Sequence, residues 1–242
     1  MTASSDECDG PARSRTSDPA RDPDEFTRSV PIDPQLRRLA KGPKMEITID
    51  ELNTLNFYRA SELHGGLILG QVAARTRDPH LAMELTRHSA EEVLHSQLWA
   101  ETILAVGGQL HPVRATYQRR FAPRIGRPST VLHVLAATQV FERRVYRHFL
   151  EHLRRPGTHR RIQSTIYRMI AEERHHLSWV KEWLDGQARS RGEMVDDLMR
   201  SYAAVDAQLY AELLEEFGWE TTPEAIRAFH WQSTRGSEAV AS

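Results

Sequence analysis

The chain has 242 residues, 40% of them hydrophobic, and a formal net charge of -1, which is room for one domain with a large core but not for two well-developed ones. Its single cysteine, Cys8, excludes a disulfide framework, a zinc ribbon and a cysteine-ligated iron–sulfur or rubredoxin centre. No run of about 18 apolar residues occurs and the N-terminal stretch lacks an apolar leader, so no membrane span is expected and a cytoplasmic location is the default.

Residues 1–44 are rich in Asp, Arg, Ser and Pro and are expected to be a disordered tail, as are 236–242. Between them, 45–235 is expected to form one helical domain. The first helix is predicted from Asp50, read as its N-cap, to Thr76, with Leu55, Tyr58, Glu62, Leu69 and Val72 on one face. Asp78-Pro79 stops it and starts a second helix, because Asp caps well and Pro fits the first helical position. That helix runs to Val106, before Gly107-Gly108, with Leu85, His88, Glu92, His95, Trp99 and Thr102 inward.

Residues 109–128 carry three prolines and no helical period. A link of about twenty residues is long for a compact domain and should have a task. A third long helix, capped by Ser129, is predicted to Arg155 with Leu135, Gln139, Glu142, Val145 and Phe149 inward. After Pro156-Gly157 a fourth continues to Gly186 with Ile166, Met169, Glu173, His176, Val180 and Trp183 inward, followed by helices over 192–217 and 223–232. Short, long, short connections describe an all-α four-helix bundle of two antiparallel hairpins with one crossover, plus one or two C-terminal helices.

A charged residue in the middle of an apolar helix face is costly unless paired or bound to metal. Each of the four helices has a glutamate there, and Glu92-x-x-His95 and Glu173-x-x-His176 add a histidine on the same face, since i and i+3 are neighbours. In an antiparallel hairpin, residues equidistant from the turn sit level. The midpoint of 62 and 92 is 77, beside Asp78-Pro79, and that of 142 and 173 is 157.5, between Gly157 and Thr158. Four carboxylates and two imidazoles should therefore meet. The frame Ala-Glu-Glu-x-x-His occurs at both 90–95 and 171–176. Glu172 with His175 would make a competing pair, but about 100° off the apolar stripe, so Glu173 and His176 are chosen. Glu62, Glu92, His95, Glu142, Glu173 and His176 are the expected metal ligands. Tyr58, His88, Trp99, Gln139 and Tyr146 stand near enough in sequence to support them, whereas His64, His175 and Glu91 are expected off the face.

Over residues 50–186 these motifs resemble the ferritin-like di-iron carboxylate family, which includes rubrerythrins, bacterioferritins, ribonucleotide reductase small subunits and di-iron oxygenases. The resemblance implies two iron ions, or manganese, held by carboxylates and one histidine each. The subfamily patterns differ: Val145 stands where rubrerythrins have a further glutamate, and Trp99 where reductase subunits have a radical tyrosine. The expectation is an O2-dependent di-iron oxidase or oxygenase acting on a small organic molecule, with electrons from a separate donor and a homodimer allowed. Gly65-Gly66 and Ala136-Ala137 are read either as room beside the metals or as close helix packing.

From 111 to 174 there are fourteen arginines and no lysine against four glutamates, a surplus of ten positive charges. That suggests an anionic substrate, and as an alternative a tRNA-modifying di-iron hydroxylase. Iron handling or storage is the other alternative.

Overall fold

The computed structural model describes residues 47–126, 128–219, 221 and 227. Among them all regular structure is helical: α1 (Ile49–Ala73), α2 (Pro79–Ala105), α3 (Tyr117–Ile125), α4 (Val131–Arg154) and α5 (Arg160–Phe217). Both expected tails and, Arg227 apart, the helix expected over 223–232 lie outside the described residues.

The helix starts follow from local chemistry. Asp78 accepts from the Leu81 amide at 2.9 Å with Pro79 in the first turn. Two expected caps move by one or two residues. Thr48, not Asp50, caps α1 by accepting from the Glu51 amide, and Thr130, not Ser129, caps α4. Threonine's hydroxyl does the capping, while Asp50 falls inside the first turn, where its charge suits the helix dipole.

Helices α1 and α2 form one hairpin, and α4 with the first half of α5 forms the other. The span of α5 holds two helices joined across a kink, where Arg191 has non-helical angles (φ -134°, ψ 35°). Contacts on either side reveal what happens there. Arg144 meets Asp206 and His148 meets Tyr210, so the second half runs parallel to α4, whereas a hairpin partner must run antiparallel to it. The chain thus reverses near Arg191. The break expected after Gly186 therefore falls a few residues later.

The core is one layer between the hairpins, with Leu55, Leu85, Trp99, Ile103, Leu135, Ile166, Met169 and Leu184 fully buried. The second half of α5 adds a flank, where Phe57, Phe217 and Trp219 pack together. The link 109–128, expected to be irregular, contains a helix, α3; Pro123 and three arginines hide its short apolar face, Tyr117 and Phe121, from the helical period. It is strapped to the second half of α5: Tyr117 Oη donates to Asp206 at 2.8 Å, Arg120 Nη2 to Glu216 at 2.7 Å and Arg124 to Glu212 at 2.6 Å. No described helix is long and apolar enough to cross a membrane.

Candidate metal centre

The inward stripe of each long helix carries its glutamate into the middle of the bundle. Glu62, Glu92, His95, Glu142, Glu173 and His176 are all buried, none more than 2% exposed. Their ligating atoms gather in two groups, each spanning no more than 4.8 Å: Glu62, Glu92, His95 and Glu173 in one, His88, Glu92, Glu142 and His176 in the other. Glu92 belongs to both. His176 Nδ1 lies 3.2 Å from Glu173 and 3.3 Å from Glu92; His95 Nδ1 lies 3.4 Å from Glu173.

Such crowding of carboxyls distorts their acidity. Burial, reinforced by neighbouring carboxylates, raises the Glu62 and Glu173 carboxyls well above their usual range. Burial pushes Glu92 the same way, but its contacts with His176 and His88 outweigh that and hold it well below. Burial pulls the His176 imidazole down, yet Glu173 and Glu92 win and push it up to about 12. Several polar atoms still have no hydrogen-bond partner, among them Glu92 Oε1, His95 Nδ1 and Glu173 Oε1. Buried polar atoms without partners are rare in proteins. Carboxylate oxygens and imidazole nitrogens converging in this way suit iron or manganese.

The histidines are aimed by the outer glutamates of the duplicated frame, and the pairs cross over. His95 Nε2 donates to Glu172 at 2.7 Å, and His176 Nε2 donates to Glu91 at 2.8 Å. Each helix thus orients its partner's histidine and turns Nδ1 inward. Glu91 is not simply off the face, as the sequence reading had it: it lies at the edge, where it reaches α5. His175 does point out, near Glu84.

No family model, no curated protein and no solved structure matches this chain.

His88, expected to support a ligand, stands inside the cluster. Its Nε2 is 3.2 Å from Glu92 and 3.3 Å from Glu142, and its ring stacks on His176 at 3.7 Å. The signal was in the sequence: i and i+4 share a face as well as i and i+3. Gln139 is fully buried, and neither atom of its amide has a hydrogen-bond partner. Tyr146 accepts a hydrogen bond from Arg174 at 3.4 Å, on the outside of α4. Trp99 fills core against Tyr58 and Phe149.

Tyr58 belongs to a second buried network. It contacts His148 Nε2 and, at 3.2 Å, His152 Nδ1. His148 Nδ1 meets Tyr210 Oη at 2.9 Å, and His152 Nε2 meets Glu51 at 2.6 Å. With Glu51 ionised, one proton per contact satisfies the chain: Tyr210 donates to His148, His148 to Tyr58, Tyr58 to His152, and His152 to Glu51. Neither His148 nor His152 stands in a sequence motif that marks this network.

Beside the metal-type cluster lies a cavity of about 550 Å³ between α1, α3 and α4, which reaches Glu92 and Glu142. The glycine pair divides its roles. A Cβ on Gly65 would lie 3.3 Å from Gln118 Nε2 and 3.5 Å from Glu92 Oε2, so its bareness opens the flank of the cluster. A Cβ on Gly66 would fall 2.9 Å from the Ser89 carbonyl, so that glycine allows close packing of α1 on α2. Ala137 lines the cavity, whereas Ala136 is fully buried core.

Proposed function

We propose that this chain is a ferritin-like di-iron oxidase or oxygenase that uses O2 on a small organic substrate. The observation carrying it is a pair of buried carboxylate–histidine groups that share Glu92 and open onto a cavity of about 550 Å³ with mixed apolar and polar walls. A cavity of that size suits a small molecule, and a storage protein has no need of one. Glu62, Glu92, His95 and Glu173 would hold one ion; His88, Glu92, Glu142 and His176 would hold the other. A bound iron pair supplies O2 activation there, with electrons from a separate donor.

The chain's own contribution is orientation and exclusion. Glu91 and Glu172 fix the tautomer and aim of the two histidines. Gly65 leaves an approach beside Glu92, and α3, pinned by Tyr117, Arg120 and Arg124, forms one side of that approach. The arginine surplus is partly spent on these pins and on the Arg144–Asp206 pair, which weakens the argument for tRNA.

The test is metal content after anaerobic loading of the wild type, Glu142→Ala and Glu173→Ala. The expected result is about two ions per chain in the wild type and loss in both variants. No metal in the wild type would overturn the proposal, and many irons per chain would turn it toward iron storage.

A further inference from the structure

The outer face of the α1–α2 hairpin, turned away from the other hairpin, is apolar over most of its length. Of the eight large hydrophobic residues exposed among the described residues, five lie on it: Leu67, Met83, Val93, Leu94 and Leu104, at 41% to 60% exposure. On α2, Met83, Thr86, Ala90, Val93, Gln97 and Leu104 are all exposed, stand three, four or seven residues apart, and carry no charge. In a chain with 27% charged residues, an exposed stripe without charge over three heptads is the pattern of a helix that packs on another helix. Leu67 extends the stripe onto α1, because it follows Gly66, where a Cβ would meet Val93 at 3.0 Å. The face is about 30 Å long and, with two helices side by side, about 20 Å wide, a footprint of roughly 600 Å² that approaches the roughly 800 Å² a stable interface buries on each partner.

The stripe also matches itself when turned end for end. The midpoint of 83 and 104 is 93.5, between Val93 and Leu94. Two antiparallel copies of α2 centred there set Met83 opposite Leu104, Ala90 opposite Gln97, and Val93 opposite Leu94. The charges at its margin match in the same way. Arg87, paired within the chain to Glu84, and Glu101, which accepts from Gln97 at 2.8 Å, are both exposed on either side of that centre. In the antiparallel arrangement Arg87 falls opposite Ala100, beside Glu101 of the second copy, so opposite charges meet and like charges do not. We propose that this face is the interface of a two-fold homodimer, with α2 crossing α2 of a second copy at Val93 and Leu94. A two-fold interface presents the same patch from both copies, which is what this stripe is built to do. The axis stands behind the turn that carries Glu92 and His95, but the dimer needs no metal.

The test is the mass of the full chain by sedimentation equilibrium, for wild type, Leu94→Glu and Leu94→Lys. The wild type should have the mass of two chains. Leu94 stands beside the axis, so either substitution brings two like charges together and should weaken the dimer by more than about tenfold. Its side chain is 49% exposed in the single chain, so the helix tolerates the change and the circular dichroism should match the wild type. Mixing the two variants should restore a dimer of one copy of each, because opposite charges then meet at the axis. A wild type with the mass of one chain would overturn the proposal and leave the face to the chain's own terminal segments or to another protein. An oligomer that Leu94→Glu leaves intact would overturn it by placing the contact elsewhere. A mixture that stays monomeric would overturn it as well, since Leu94 would then not meet its own counterpart.

Discussion

Two buried polar clusters sit within two helical turns of each other on α1 and α4, and they are built on opposite principles. In the Tyr58–His148–His152 network both nitrogens of each imidazole have partners, and the run of contacts ends on Glu51. In the cluster around Glu92, atoms of Glu92, His95 and Glu173 face one another without hydrogen bonds. A closed network fixes helix register and needs nothing more. An open one, with the Glu62 and Glu173 carboxyls pushed up by burial, leaves polar atoms that the proposed metal pair would satisfy.

The largest effect should come from the residue both groups share. Glu92→Ala is expected to reduce the metal load from about two ions per chain to nearly none, whereas Tyr58→Phe leaves it unchanged; elemental analysis of the pair breaks or upholds the contrast. Next in size, Glu91→Ala or Glu172→Ala frees the back of one histidine and should weaken metal binding by about 10- to 100-fold, read by competition with a chelator. Loading should also release protons, because burial favours the protonated form of Glu62 and Glu173 and the carboxylates beside His176 favour its protonated ring. Titration in buffers of different ionisation enthalpy measures that release, and binding should weaken as the pH falls.

The closed network answers to stability instead. Tyr58→Phe removes the hydroxyl between two histidines and should cost about 1–3 kcal/mol in denaturant unfolding. The smallest effect is a slope. Burial, with the nearby His152, holds the His148 imidazole well below its ordinary value of 6.5. Below that pH the unfolded chain takes up a proton that the folded chain refuses, so stability present above 6.5 is lost as pH falls. His148→Gln should flatten the loss between about pH 6.5 and about pH 5; an unchanged slope would assign it to other groups.

By itself the sequence determined what a helix knows about its own axis. Period and breaks put Glu62, Glu92, His95, Glu142, Glu173 and His176 on inward stripes, and the distance of each glutamate from its turn set their common level. Both kinds of information are local, which is why the limits of α1, α2 and α4 were legible to within about three residues. Only the tertiary structure decided which side chains meet across helices. That Glu91 serves His176 and that Glu172 serves His95 depend on how each helix is rotated about its axis. No spacing within one strand of sequence encodes that rotation. The same holds for α3, whose pins are Asp206, Glu212 and Glu216 on a segment some ninety residues away. Long-range partners fold that proline-bearing link into a cavity wall, because its own short apolar face is too weak to do so alone.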